Sequence, residues 1–196
     1  VRCGLVSNGA PVFDDKGKLK YPLHGRIANR PARKVTVSVD EDSGEIRVCG
    51  WVDESRFLFH SLELVSCVST LPEQSEIRVR DEIANLSGTP AEAQLLYHIN
   101  FGKPLLDRGS RFAAPLVRVA PRDARAAEGM ETWNVYGPEE PGFPEQVYFM
   151  EVIADSKGTA HALLKNMSGS GGVSLIYGTK TLPCFTLWKN TGSPAS

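Results

Sequence analysis

Apolar residues in this chain recur at every second position and nowhere sustain the spacing of a helix. Val35, Val37 and Val39 alternate with Lys34, Thr36 and Ser38, the pattern of a strand with one face covered and the other wet. Asp42-Ser43-Gly44 supplies a turn, and Ile46, Val48, Gly50 and Val52 continue beyond it as the partner strand of a hairpin. Leu62 and Leu64 alternate with Glu63 and Val65 in the next strand, and Pro72-Glu73-Gln74-Ser75 turns again. Ile77, Val79, Asp81 and Ile83 then alternate with Glu76, Arg78, Arg80 and Glu82, setting a mostly apolar face against a charged one. About nine short strands separated by turn residues predict an all-β sandwich or barrel. The expectation is a single domain over 1–196, with no repeat and no low-complexity region.

The rest of the chain follows the same logic. Residues 1–6 read as a strand already under way at Val1, so the expectation is an internal piece of a longer protein. Tyr21 to Asn29 holds Pro22 and Gly25 around His24 and Arg26, which predicts an ordered loop or strand edge. A strand is predicted from about Ala93 to Phe101. It would place Tyr97, Ile99 and Phe101 on one face and His98 and Asn100 on the other. From Gly102 to Glu145 the alternation fades among six prolines, and Ala124–Glu128 is a helical turn that Gly129 closes. A long irregular stretch inside a β domain is commonly functional. Strands resume at Val147–Ile153, Ala160–Leu164, Val173–Tyr177 and Cys184–Trp188.

Composition removes several classes of function. Of the 196 residues 41% are hydrophobic, enough for a sizeable core. The net charge of −1, with both signs interspersed, leaves no electrostatic footprint for nucleic acid. No apolar run approaches the roughly 20 residues that span a bilayer, and no leader pattern opens the chain. Cys3, Cys49, Cys67 and Cys184 form no C-x-x-C pair, which argues against a zinc or redox motif. Scattered cysteines suit a reducing compartment, hence a cytoplasmic location, although spacing does not exclude a disulfide. The residues set no oligomeric state.

Four polar spots stand out against the β background: His24-Gly25-Arg26, His98 with Asn100, Glu145-Gln146, and Trp188-Lys189-Asn190. They supply two imidazoles, a carboxylate, two cations, amides and an indole. Imidazole gives and takes a proton near neutral pH, a carboxylate accepts from sugar hydroxyls, and an indole can stack on a sugar ring. Gly169-Ser170-Gly171-Gly172 lacks the Lys-Ser/Thr pair and helix of a phosphate loop, and no G-x-S-x-G elbow is present. His24, His98 and Glu145 could hold a metal, but nothing in their spacing requires one. His60 and His161 read as structural or exposed, and Trp51 and Trp133 as packing residues.

His24-Gly25 after Tyr21-Pro22-Leu23, then residues 97–102 with His98 and Asn100, then Glu145-Gln146-Val147-Tyr148, then Phe185 to Asn190, resemble the ordered landmarks of the aldose 1-epimerase (galactose mutarotase) superfamily. The likeness is to a poorly characterised aldose-epimerase-like branch and spans nearly the whole chain. It implies an antiparallel β-supersandwich, incomplete at both ends here. It also implies a cofactor-free interconversion of the α and β anomers of a sugar. By this resemblance His98 protonates the ring oxygen, and His24 binds a hydroxyl and assists. Glu145 falls where the family has a sugar-binding aspartate, Arg26 and Lys189 bind hydroxyls or an acidic group, and Asn100 completes the substrate-binding set. The family's base glutamate lies beyond the strand that ends at Trp188, and no residue after Lys189 plays that part. Glu145 as a substitute base would require a changed geometry. The alternatives are a non-catalytic carbohydrate-binding protein on the same fold, and an isomerase or lyase acting on an acidic sugar.

Overall fold

The structure, a computed structural model, describes residues 2–192; Val1, where the sequence starts its first strand, lies outside them. The described residues form fourteen strands, one short α-helix and two 3₁₀ turns. The chain is therefore all-β, as the two-residue period predicts. It divides into two compact units, Val1–Ile99 and Asn100–Ser196.

In the first unit the strands are β1 (Arg2–Leu5), β2 (Val12–Phe13), β3 (Leu19–Tyr21), β4 (Lys34–Val39), β5 (Ile46–Arg56), β6 (His60–Thr70), β7 (Arg78–Asn85) and β8 (Gln94–Tyr97). β4 to β7 form an antiparallel four-stranded meander, β2 pairs with β3, and β1 pairs with β8. Register aligns the apolar positions across the meander: Val37 lies opposite Val48, Val48 opposite Val68, and Val68 opposite Val79. One end of this face is covered, where Leu62 and Leu64 pack with Leu5, Ile27, Val52 and Leu95. Its other end is bare, with Val37, Val48 and Val79 all exposed.

Asp81 sits on the same apolar face, and its carboxylate is buried. It is paired with Arg2 Nε at 2.5 Å and accepts from the Tyr97 hydroxyl at 2.8 Å. Burial and the neighbouring Asp81 carboxylate hold the Tyr97 hydroxyl well above its ordinary titration range. Cys49 and Cys67 face each other across β5 and β6 and are joined as a disulfide. Spacing along the chain could not show that register, and the pairing is what sequence left open.

The second unit holds β9 (Arg111–Ala113), β10 (Leu116–Pro121), α1 (Ala124–Glu128), β11 (Gln146–Val152), β12 (Thr159–Lys165), β13 (Gly172–Gly178) and β14 (Phe185–Lys189). Two three-stranded antiparallel sheets, β10-β11-β14 and β13-β12-β9, share one apolar cluster. Phe112 and Ala162 come from one sheet, Tyr148, Met150 and Leu187 from the other. Trp133 packs edge-on to Phe112, the packing role its sequence setting suggests. Helix α1 starts where the Asp123 carboxylate caps Ala126 N at 2.9 Å and stops at Gly129, as its composition predicts. Among the described residues no helix is long and apolar enough to cross a membrane.

Two positions on one face should respond oppositely. Leu64 is 3% exposed and Val48 is 41% exposed. Leu64→Ala is expected to cost about 2–5 kcal/mol in denaturant unfolding, whereas Val48→Thr should stay within about 0.5 kcal/mol of wild type.

Candidate functional site

His24 occupies a left-handed backbone conformation with φ 68°, followed by Gly25 with φ 76°. Gly25 N donates to Pro22 O at 3.0 Å, closing a tight turn. That turn is clamped from outside: His24 N donates to Gly9 O, Gly4 N donates to His24 O, and Arg26 N donates to Gly4 O, all within 3.0–3.1 Å. Gly4 and Gly25 thereby form a parallel bridge. A Cβ on Gly25 would collide with the carbonyl oxygens of Ser7 and Gly4, so only glycine allows the approach. The resulting geometry presents the His24 imidazole from a fixed backbone.

His98 arrives from the other side of β1. β1 pairs antiparallel with β8, with Gly4 opposite Leu95 and Arg2 opposite Tyr97. The predicted strand Ala93–Phe101 is shorter than alternation suggests. The ladder ends at Tyr97, leaving His98 one residue past it and Asn100 in irregular, exposed backbone. The imidazoles of His24 and His98 nevertheless meet, with ring centroids 5.0 Å apart and planes tilted by 59°. Both residues are half-buried. Distant in sequence, they are brought together by one short strand with a partner on each side.

The remaining sequence-predicted residues have the following places. Arg26, in the same unit, folds its guanidinium over the Tyr21 ring at 4.8 Å and donates to Lys20 O. Asn100 opens the second unit. Glu145, also in that unit, is half-buried; its carboxylate takes Arg122 Nη1 at 2.9 Å on one oxygen and Trp188 Nε1 at 2.6 Å on the other. Arg122 is also paired with Asp123 at 2.9 Å, so the Glu145 carboxylate is held in one orientation. Lys189 is 3% exposed and donates from Nζ to Thr132 O at 2.9 Å and Val135 O at 2.5 Å. It lies 5.6 Å from the centre of the Tyr136 ring. Burial lowers the Lys189 pKa from its ordinary 10.5. Tyr136, also buried, is pushed up to about 12.

Among the described residues no group of three or more His, Cys, Asp and Glu side chains is placed to hold a metal. An open depression of about 320 Å³ in the second unit is lined by His161, Leu163 and Ala113 to Pro115, and none of the sequence-predicted residues lines it. Sequence reasoning missed Glu54 altogether. It lies within the alternating run of β5 and carries no motif, yet it is 1% exposed. A charged residue at a position the period assigns to the covered face was the available signal.

A family described as "Domain of unknown function (DUF4432)" matches residues 1–195. No curated protein matches the chain. Among solved structures, the fold matches that of a "putative aldose 1-epimerase" from Klebsiella pneumoniae subsp. pneumoniae MGH 78578, with a TM-score of 0.93 and 36% sequence identity. The match covers 98% of this chain and 50% of that one, so the chain spans about half the length of the protein it resembles. The all-β sandwich class inferred from sequence is the class of this neighbour.

Two substitutions probe the geometry. Gly25→Ala should lower stability by about 1–2 kcal/mol or more in thermal unfolding, because it adds a left-handed-conformation penalty to the collision with Ser7 O. Lys189→Met should lose stability relative to wild type as pH rises through the alkaline range below 10.5. In that window the unfolded chain holds a proton at Lys189 that the folded chain has released, so rising pH favours the folded wild type. Unfolding curves of both proteins across that range measure the difference.

Proposed function

Because the chain belongs to the DUF4432 family and has the fold of the aldose 1-epimerase-like superfamily, we propose that it is a carbohydrate isomerase of the aldose 1-epimerase type, exchanging α and β anomers of a sugar. The observation that carries this reading is the His24–His98 pair, 5.0 Å apart between ring centroids. Anomer exchange needs two proton transfers at the two oxygens carried by the anomeric carbon, its hydroxyl and the ring oxygen. One proton leaves the anomeric hydroxyl, another reaches the ring oxygen, and the bond between C1 and the ring oxygen breaks to give the open aldehyde. Rotation about C1–C2 presents the other carbonyl face, and both transfers then run in reverse. Protons balance over the cycle and no electrons move.

In this scheme His98 is the acid at the ring oxygen. His24 binds the anomeric hydroxyl and is the neighbouring group able to receive its proton. Two imidazoles can serve in these complementary protonation states near neutral pH. Arg26 and Asn100 are proposed to bind hydroxyls. Glu145, oriented by Arg122 and Trp188, is proposed as a hydroxyl-accepting carboxylate. Lys189 has its ammonium engaged with two backbone carbonyls, so its contribution is proposed to be the shape of the segment from Thr132 to Tyr136. The reading includes a cytoplasmic location, in which Cys49 and Cys67 would be held as two thiols.

The test is anomer exchange followed by NMR on a panel of neutral and acidic aldoses. The expected result is acceleration of exchange for at least one sugar, with His98→Ala lowering the rate by about 10²–10⁴-fold. Sugar binding without exchange would favour the non-catalytic carbohydrate-binding alternative. Absence of both binding and exchange across the whole panel would overturn the proposal.

A further inference from the structure

Behind the two histidines lies a carboxylate that the proposed chemistry does not use. Glu54, near the end of β5, is 1% exposed. Its Oε2 accepts from Leu5 N at 2.7 Å and, more weakly, from Val6 N at 3.4 Å. Its Oε1 is buried and has no hydrogen-bond partner among the described residues. A buried carboxylate with one oxygen unsatisfied is costly, and a fold retains one where its directed bonds determine something apolar packing would not.

What those bonds determine is the position of β1. Leu5 is the last residue of β1 and follows Gly4 directly. Gly4 is the residue whose N–H and carbonyl grip His24 O and Arg26 N. On its other edge the same strand pairs with β8, which ends one residue before His98. Val6 is followed by Ser7, whose carbonyl lies against Gly25. Both histidine-bearing segments therefore take their positions from residues 4–7, and Glu54 anchors the middle of that stretch through charge-assisted bonds, stronger and more directional than neutral ones.

We infer that Glu54 is a positioning residue for the histidine pair: by fixing the amides of Leu5 and Val6 it sets the separation of the His24 and His98 imidazoles. It touches no substrate and moves no proton. The inference rests on the anomer-exchange reading for its catalytic consequence but not for its structural one. A displacement of about 1 Å at reacting groups is enough to lower a rate by about 10²-fold.

The experiment compares Glu54→Leu, which removes both acceptors at similar volume, with Glu54→Gln, which keeps an amide carbonyl to accept from Leu5 N. Circular dichroism confirms that each variant is folded, and two readouts follow. The first is the NMR cross-peak between His24 and His98 ring protons, expected in wild type from their 5.0 Å separation. It should vanish or weaken severalfold in Glu54→Leu and persist in Glu54→Gln. The second is turnover on a sugar the wild type accepts: kcat should fall by about 10²-fold in Glu54→Leu with KM changed less than about threefold, and Glu54→Gln should recover most of it. If Glu54→Leu does not fold, Glu54→Asp, which keeps the charge but withdraws the carboxylate by one methylene, is read in its place. A folded variant lacking the bonds but keeping both the cross-peak and kcat overturns the inference, as does a loss that Glu54→Gln fails to recover. Because the cross-peak needs no turnover, a wild type inactive on every sugar would sink the proposed activity while leaving this measurement intact.

Discussion

The first unit depends on a close approach of backbones at Gly4 and Gly25. Neither position tolerates a side chain: a Cβ on Gly4 would collide with Gln94 O, and one on Gly25 with Ser7 O and Gly4 O. Two strands of ordinary residues cannot come this near, because Cβ atoms hold their neighbours off. The contact lets β1 serve two partners at once, the His24 turn on one edge and β8 on the other. Van der Waals exclusion at two glycines thus determines that two imidazoles far apart in sequence share one neighbourhood.

Around that approach the protein places buried charge where its period calls for apolar residues. Asp81 stands on the apolar face of β7 and Glu54 is almost wholly buried in β5. Both reach toward β1 or its partner: Asp81 to Arg2 and Tyr97, Glu54 to Leu5 and Val6. Apolar packing alone discriminates poorly between neighbouring registers of short strands, and β1 has only four residues. A charged group whose bonds are satisfied in one register only removes that ambiguity, at some cost in stability. The two carboxylates thus act as pins for an otherwise weakly specified strand.

Much of this was legible in sequence, and the boundary of what was legible has physical causes. β4 to β7 lie where their alternation places them, but the half-buried face expected for β4 is not covered: both of its faces are exposed, because the core under the meander ends at Leu62 and Leu64. β2, β3, β9 and β10 went unannounced: three of them are too short to show a period, and β10 is interrupted by a bulge. His24 and His98 were identifiable from residue type, but their 5.0 Å approach was not, since it arises from pairing across β1. Lys189 was read as a cation facing a ligand, yet its Nζ lies against two carbonyls in the interior; residue type does not encode burial. For Glu145 the partners Arg122 and Trp188 converge from other elements, a convergence no linear motif records. Cys49 and Cys67 face each other for a similar reason, through the register of a hairpin.

The position of His98 one residue beyond its ladder has a consequence of its own. A residue inside the ladder has its backbone fixed by pairing on β1, and His98 follows directly after the last such pair. Its placement is inherited from Tyr97, and Tyr97 is held twice: its backbone lies opposite Arg2 in the ladder, and its hydroxyl donates to Asp81. Arg2 closes the loop by pairing with Asp81 and lying 5.7 Å from the centre of the Tyr97 ring. The backbone of His98 thus follows directly on a residue held both through the ladder and through its own side chain. His24 is clamped on both sides in a left-handed turn. Each imidazole of the pair thus starts from a backbone position set by β1, His24 through Gly4 and His98 through Tyr97.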